Sequence, residues 1–204
     1  MRGWLLLASV AACASPAPSS LRPGVYATDV GSYLNVQVGF ADDPDIAVDV
    51  TFRGKTVRAE HAPQDYIANF DLVPALASDE VVTANIDGVA LTLTAPTAFD
   101  ALDVPLFVSR TQDTTISWSP ASADRMQWSL RAANCVDSHG GDVPPNATSL
   151  TFTAADWMFK DQGIRTCTTQ VQLTRARDTP IDPAFAGGGA TFERDEVIEF
   201  ASTP

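Results

Sequence analysis

Residues 81–94 read VVTANIDGVALTLT and give the clearest indication of a fold anywhere in the chain. Asp87-Gly88 is a dipeptide typical of two-residue hairpin turns, because both residues accept the positive φ angles that such turns need. The turn would place apolar residues opposite one another in three pairs: Ile86–Val89, Ala84–Leu91 and Val82–Leu93. A register shift of one residue would break every pair, so the stretch predicts an antiparallel hairpin with one buried face.

The same alternation of apolar and polar residues extends over residues 33–95. Such a period of two is typical of strands that bury one face. Gly54-Lys55 predicts a second hairpin, with a type II′ turn in which Val50 pairs with Ala59. In that register His61 lies opposite Val48 on the inward face, where a structural role is more common than a catalytic one. The first half therefore predicts a β-sandwich.

The segment APTAFDALDVP, residues 95–105, interrupts the alternation and has a proline near each end. It predicts a linker at 97–105 between a domain at 23–96 and a second domain at 106–204. Alternation resumes in the second half, with strands expected near 126–132, 164–175 and 191–200.

The second half loosely resembles an immunoglobulin-like sandwich, because Trp118 and Trp128 lie on early strands and two cysteines follow. In antibody domains the tryptophan lies between the cysteines, whereas here both tryptophans precede Cys135. The resemblance therefore implies the fold class without the usual inter-sheet bridge. We expect an all-β chain of two immunoglobulin-like β-sandwich domains in tandem.

The N-terminal segment is predicted to be a targeting signal. The apolar run Trp4 to Ala12 is far shorter than the roughly 20 residues that cross a bilayer. Val10-Ala11-Ala12-Cys13 then resembles the lipobox of bacterial lipoprotein signal peptides. That resemblance implies a signal at residues 1–12, acyl chains on Cys13 that attach the chain to a membrane, and a Pro/Ser tether at 13–22. Several acyl chains are needed for stable attachment.

A second interpretation of the same residues remains open. Ala12-Cys13-Ala14 also fits the A-x-A pattern of ordinary signal peptidase, which would release a soluble periplasmic or secreted protein. With lipidation, the chain belongs to the bacterial cell envelope. Ala14 is not the Asp that resembles an inner-membrane retention signal, so the outer membrane is the expected location.

Cys135 and Cys167 remain as a pair once Cys13 is lipidated or removed. Export leads to an oxidising compartment, so a Cys135–Cys167 disulfide is predicted. The loop that it closes would contribute roughly 3–4 kcal/mol in the chain-entropy model. A redox or metal-binding pair is the alternative, although the C-x-x-C spacing is missing.

Two groups of polar residues are candidates for a metal site. The segment VDSHGGD places a histidine among carboxylates, and the segment ADDPD concentrates three carboxylates of the kind that Ca²⁺ prefers. Neither matches a known ligand spacing, and the same residue types are common in turns. The candidates are Asp137, His139 and Asp142 in the first segment, and Asp42, Asp43 and Asp45 in the second.

The formal net charge of −12 argues against a nucleic-acid partner, because binding to phosphates needs clusters of Lys and Arg. The chain has no GxSxG, HExxH, phosphate-binding loop or dinucleotide fingerprint, and no cofactor is expected. TISWSP at 115–120 and NCVDSHGG at 134–141 resemble myxobacterial lipoproteins, a resemblance that implies no activity.

The sequence therefore favours a lipid-anchored, non-catalytic envelope protein. Its loops would bind an envelope protein or a polysaccharide. An envelope hydrolase or a calcium-binding module is the alternative from another class, because paired carboxylates can come from different strands and escape recognition by spacing. A freely secreted protein is the third possibility.

Overall fold

The computed structural model describes residues 20–42, 44–132, 136–157 and 166–203, which contain sixteen strands and one 3₁₀ turn at Ala154–Asp156. The first eight strands are β1 (Gly24–Asp29), β2 (Tyr33–Gly39), β3 (Val48–Phe52), β4 (Lys55–Arg58), β5 (Glu60–Ala62), β6 (Asp65–Asp71), β7 (Val81–Ile86) and β8 (Val89–Thr94). The others are β9 (Ala101–Asp103), β10 (Phe107–Ser109), β11 (Thr114–Ser119), β12 (Arg125–Ala132), β13 (Val136–Val143), β14 (Ser149–Phe152), β15 (Cys167–Thr179) and β16 (Gly189–Thr203).

One large sheet runs through the whole described structure. Its strands lie in the order β13-β12-β15-β16-β1-β2-β6-β5, and β10 pairs with β16 beside this path. Two smaller sheets pack against it, one with the order β4-β3-β7-β8 and one with the order β14-β11-β9. The predicted all-β fold is therefore confirmed.

The first core lies between the large sheet and the four-stranded sheet. Every second residue of β1, β2 and β6 faces every second residue of β3, β7 and β8, as expected for strands that bury one side. Val25, Leu34 and Val36 from the large sheet and Val50 and Leu93 from the smaller one are completely buried. The first half is thus a β-sandwich.

The second core lies between the other end of the large sheet and the three-stranded sheet. Leu130 and Val171 of the large sheet and Ile116 of β11 are completely buried there. Three aromatic rings fill the remaining space, since Trp128 and Trp157 both pack on Phe152, at ring-centroid distances of 5.1 and 5.8 Å. The second half is also a β-sandwich.

The two cores share the long strand β16. Ala190 and Phe192 near its start belong to the first core, whereas Ile198 and Phe200 near its end belong to the second. β15 pairs with β16 along almost its whole length, so the two strands form a ribbon that spans both sandwiches. The last strand of the expected domain at 106–204 therefore also completes the sandwich formed by residues 23–96.

The expected linker at 97–105 is partly a strand. It contains β9, which pairs with β11 at the edge of the three-stranded sheet. Phe99, in the same segment, packs against Arg175, and the Cζ atom of the guanidinium lies 4.0 Å from the centroid of the Phe99 ring. The connection between the two sandwiches is consequently attached to the second one.

The two predicted hairpins differ in outcome. β7 and β8 pair as predicted, around a turn in which Asp87 and Gly88 have φ angles of 50° and 84°. The predicted register of β3 and β4 is wrong, because the turn is Arg53-Gly54 and Val50 pairs with Val57 rather than Ala59. Arg53 and Gly54 have φ angles of 48° and 75°, which are those of a type I′ turn.

The pairing expected between His61 and Val48 is also wrong. The chain leaves the four-stranded sheet after β4, and the buried Ala59 still donates its N–H to Val48. β5 then joins the large sheet, where His61 pairs with Tyr66 of β6. The imidazole lies on the same inward-facing side as the Tyr66 ring, on which it stacks at a centroid distance of 4.8 Å, but it is exposed because β5 is the edge strand of the sheet.

Candidate functional site

The first candidate metal site is not assembled. Asp137, His139 and Asp142 all lie on β13, but Asp142 lies on the face opposite to His139, and a register shift between positions 136 and 139 interrupts the alternation at Asp137. Asp142 instead accepts a hydrogen bond from Gln127 at 3.0 Å. The imidazole of His139 contacts the ring of Trp128, and its Nδ1 lies 2.9 Å from the carbonyl oxygen of Asp137.

The second candidate metal site gives no ligand set either. Asp42 and Asp45 are exposed, and Asp43 lies outside the described residues. Across the part of the chain that the structure describes, no group of three His, Cys, Asp or Glu side chains could hold a metal ion. The candidate carboxylates that the structure describes are therefore not gathered around one point.

Two of the three cysteines, Cys13 and Cys135, lie outside the described residues. Cys167 begins β15, where its Sγ lies 3.0 Å from the hydroxyl oxygen of Ser202. Lipidation of Cys13 and the Cys135–Cys167 disulfide therefore both stay predictions. No helix among the described residues is long and apolar enough to cross a bilayer.

Two open clefts lie in the first sandwich. One of about 520 Å³ is bordered by Leu21 and Phe40, and the other of about 390 Å³ lies beside His61. The described lining of each contains one carboxylate, Asp42 in the first and Glu60 in the second. The described lining of neither cleft therefore contains the pair of carboxylates that hydrolysis of a glycosidic bond commonly uses.

The most distinctive polar arrangement lies between the two cores, and we call it the arginine junction. It consists of four arginines (Arg53, Arg175, Arg177 and Arg194) and the groups that they bind. Arg175 and Arg194 are register partners on β15 and β16, and both are almost completely buried. They occupy inward positions where the cores have apolar residues, so the ribbon changes from apolar to cationic between the sandwiches.

Arg175 binds the connection between the sandwiches through backbone oxygens. Its guanidinium donates to the carbonyls of Thr97, Ala98 and Pro120 at 3.1, 2.9 and 2.6 Å. Burial lowers the pKa of Arg175 and the nearby Asp124 carboxylate acts in the opposite direction, but a guanidinium stays protonated at neutral pH. One cation therefore binds three partly buried backbone carbonyls at once.

Asp124 is the carboxylate at the centre of this junction, with a side chain that is only 6% exposed. Arg177 donates to it from Nε at 2.7 Å, the Thr97 amide at 2.8 Å and the Ser122 hydroxyl at 2.7 Å. Burial alone would raise the pKa of Asp124, but these hydrogen bonds outweigh burial and hold the pKa at about 2. Arg177 also binds Asp79 of the first sandwich, so it connects the two halves.

Arg194 and Arg53 hold the loop that precedes β7. Arg194 donates to the carbonyls of Leu76 and Ala77 and forms an ion pair with Asp29 at 3.2 Å. Arg53 donates to both oxygens of Glu80 at 2.7 Å, and it also reaches the backbone carbonyls at positions 74 and 75. Arg194 thereby holds the loop against the ribbon, and Arg53 holds it against the turn between β3 and β4.

Glu196 of β16 is an acidic residue with a raised pKa. Burial, together with the Asp29 carboxylate, raises the pKa of Glu196, while the charge of Arg194 acts in the opposite direction. It lies at an inward position two residues beyond Arg194, at the start of the second core. Its ionised form is therefore disfavoured by the fold.

The arginine junction was not predicted from the sequence, although the sequence contains a signal of it. In TFERDEVIEF, residues 191–200, every second residue from Phe192 to Phe200 points inward, and Arg194 and Glu196 interrupt this apolar set. In VQLTRAR, residues 171–177, Arg175 and Arg177 interrupt the corresponding set. Charged residues at inward positions of a long strand indicate a point where two cores meet.

No protein-family model matches the chain, and no curated protein matches it. Among solved structures it is similar to the chicken CNTN1 FN1-FN3 domains, with 10% identity, a TM-score of 0.35, and coverage of 92% of this chain and 64% of that chain. It is also similar to a cytokine receptor complex, with 10% identity, a TM-score of 0.34, and coverage of 88% and 94%.

A third similar structure is Dpr11 IG1 bound to DIP-gamma IG+IG2, with 8% identity, a TM-score of 0.28, and coverage of 90% and 96%. The chain thus spans less than two thirds of the length of the CNTN1 fragment. Likenesses at this level establish no family for the chain. The class of protein is therefore given by its own sheets, as an all-β chain of two sandwiches.

Proposed function

We propose that the chain is a non-catalytic, exported binding or structural module that holds two β-sandwiches as one rigid body at the bacterial cell envelope. The observation that carries this proposal is the sharing of β16, which supplies core residues to both sandwiches. A scaffold of this kind presents the surfaces of both halves to a partner in a fixed arrangement. A protein or a polysaccharide of the envelope is the proposed partner.

The arginine junction supports the rigidity. A flexible connection between domains is typically short of buried contacts and rich in exposed backbone. Here Arg175 holds the connecting segment at Thr97 and Ala98, and Arg177 joins Asp124 to Asp79. Movement of one sandwich relative to the other would break several charge-assisted hydrogen bonds at once.

Membrane attachment through Cys13 is the second part of the proposal. The lipobox-like Val10-Ala11-Ala12-Cys13 supports it, as does the Pro/Ser segment that follows, which suits a tether between an anchor and the first strand. The first described strand begins at Gly24, eleven residues after Cys13. The Cys135–Cys167 disulfide belongs to the same proposal, because export exposes both thiols to oxidising conditions.

Rigidity is tested by amide residual dipolar couplings of the weakly aligned protein. We expect one alignment tensor to fit the amides of β1–β8 and those of β9–β14 together. Two distinct tensors, or a clearly smaller tensor for one half, would show that the sandwiches reorient independently. That result would overturn the proposed scaffold.

Anchoring is tested by the intact mass of the chain expressed in a bacterial host with its own N-terminus. The expected product begins at Cys13 and carries the mass of its acyl chains. Cys13→Ala should abolish that modification, whereas the neighbouring Ser15→Ala should leave it unchanged. An unmodified product from the unaltered chain would overturn the anchor and leave a freely exported protein.

A further inference from the structure

One edge of β16 is only partly paired. β15 covers the other edge from Ala190 to Ser202. On the edge in question, β1 pairs with residues 189–194 and β10 with residues 201–203, both in parallel. Among the described strands none pairs with residues 195–200, which we call the open edge. At about 3.3 Å per residue, the gap between β1 and β10 is about 23 Å long.

The backbone of the open edge has its hydrogen-bonding groups aimed into this gap. The amides of Gly189 and Ala201 donate across the same edge, to the carbonyls that precede β1 and β10. Bonding directions alternate along a strand, so odd-numbered residues of β16 face this edge and even-numbered ones face β15. Asp195, Val197 and Glu199 therefore direct N–H and C=O groups into the gap. Such groups are a template for an added strand.

Exposed apolar side chains surround the same gap. Val30 directly follows β1 and is 48% exposed, and Val197 in the middle of the gap is 53% exposed. At the other end, Leu106 and Phe107 are 81% and 73% exposed. These are four of the eight large hydrophobic side chains that are exposed in the described part of the chain. Their concentration at one place indicates a contact surface.

The charge of the open edge defines the complementary partner. Asp195, Val197 and Glu199 alternate along the outer face of β16. The β15 residues opposite the two carboxylates are neutral, since Thr174 donates to Asp195 and Gln170 donates to Glu199. The arginines of the ribbon lie at inward positions, on the face that contains the arginine junction. An acidic, an apolar and an acidic position therefore follow one another along backbone with which no described strand pairs.

We infer that the open edge receives one extended segment of a partner protein whose alternate residues are basic, apolar and basic. Added as a strand, this segment places its basic side chains opposite Asp195 and Glu199 and its apolar side chain opposite Val197. Backbone hydrogen bonds supply affinity, and the three side-chain positions supply specificity. The inference deepens the proposed binding role, because it depends on the chain being a binding module and names the surface that binds.

A second copy of the chain does not fit this surface. Antiparallel pairing of two open edges about Val197 would place Asp195 of one copy opposite Glu199 of the other. Like charges directly opposite one another destabilise a strand pair. The formal net charge of −12 adds long-range repulsion between two copies and attraction for a basic segment.

The test uses a fluorescein-labelled peptide of sequence SKTVTKS and the full chain, with fluorescence anisotropy as the measurement. We expect saturable binding, and at least tenfold weaker binding of the matched peptide SETVTES. Raising the salt concentration should weaken binding of the basic peptide. No binding of SKTVTKS, whether because the edge does not accept strands or because a segment of this chain already occupies it, would overturn the inference.

Two variants at one position separate strand addition from attraction between charges. Val197→Pro removes an N–H that faces the gap and leaves the bonds to β15, so it should weaken binding at least tenfold. Val197→Thr keeps the N–H and should stay within about threefold. Equal affinities of the two variants for the peptide would contradict strand addition.

A third comparison leaves the protein unaltered and so does not depend on how a variant folds. The backbone nitrogens of an added strand alternate between facing β16 and facing away. Two peptides are therefore compared, one methylated on the backbone nitrogen of Val and one on that of the Thr that follows it. One of the two methyl groups should abolish binding, and the other should leave binding unchanged. An equal effect of both would overturn the inference. If binding fails while one alignment tensor fits both sandwiches, the scaffold stands and only the docking surface is wrong.

Discussion

Replacing Asp124 by Asn tests the energetic role of the arginine junction. The pKa of Asp124 is about 2, compared with 3.8 for an unperturbed Asp. A difference of nearly two pKa units corresponds to about 2 kcal/mol of folding free energy at neutral pH. The side chain is only 6% exposed, so solvent screens this contribution little. Asp124→Asn should therefore lower the free energy of unfolding at pH 7 by about 2–3 kcal/mol.

The pH dependence gives the sharper readout. A carboxyl whose folded pKa is lowered stabilises the protein above its unfolded pKa, and this stability is lost as the pH falls through the folded pKa. The difference between wild type and Asp124→Asn should be constant above pH 5 and should shrink between about pH 4 and pH 2. Urea unfolding followed by tryptophan fluorescence across this range measures it.

Asp49→Asn is the matched control, because Asp49 forms an exposed ion pair with Arg58 at 3.2 Å. Exposed pairs of this kind contribute little, so the change should stay within about 0.5 kcal/mol. A difference for Asp124→Asn that stays the same from pH 7 to pH 2 would refute the reasoning. It would mean that the loss comes from packing rather than from the ionised carboxylate.

Three further substitutions have defined outcomes in the same unfolding assay. Arg175→Lys should cost about 2–4 kcal/mol, because an ammonium cannot reach three carbonyls that a guanidinium spans; a loss below about 1 kcal/mol would contradict this. Glu196→Gln should raise the free energy of unfolding at pH 7 but not below pH 4. Burial raises the pKa of the Glu196 carboxyl, so its ionised form opposes folding. The stability that this carboxyl contributes therefore falls as the pH rises through its folded pKa. Gly188→Ala should cost about 2 kcal/mol or more, and clearly more than Gly187→Ala. A Cβ added at Gly188 would lie 2.1 Å from the carbonyl oxygen of Pro23, whereas a Cβ added at Gly187 would have no neighbour within 4 Å. Equal losses for the two glycines would refute the clash.

The pairing of two strands could be predicted from the sequence where the turn and the paired residues are close together in the chain. The hairpin of β7 and β8 is predicted residue for residue, because Asp87-Gly88 and three apolar pairs point to the same register. The alternation also identifies the inward faces of the two sandwiches correctly, as the buried residues of β2 and β3 show. The all-β class follows from this pattern alone.

The register of β3 and β4 could not be obtained in this way. The turn requires a positive φ at Arg53, a non-glycine residue. Arg53 is held by Glu80 and by the carbonyls at positions 74 and 75, more than twenty residues later. Contacts at that separation are not visible in the residues of the turn. The predicted partner of Val50 is two positions too far along the chain. Because side chains alternate with a period of two, the inward and outward faces were still assigned correctly.

The sharing of β16 is the feature least accessible from the sequence. β1 and β16 are neighbours in the sheet although Gly24 and Gly189 lie at opposite ends of the described chain. Period-two alternation identifies a strand but not its neighbours. The inward arginines at positions 175 and 194 were the available sign, since an isolated sandwich has no reason to place two guanidinium groups side by side in its interior.

Coupling between the two cores is tested most directly by perturbing one and observing the other. The described tryptophans, Trp118, Trp128 and Trp157, all lie in the second sandwich, so a Trp4→Phe background reports on that half. Leu34→Ala in the first core should cost about 3 kcal/mol. We expect the fluorescence transition to shift by this full amount, because the cores share β16 and unfold together. An unchanged tryptophan transition, with the loss seen only in far-UV circular dichroism, would contradict it.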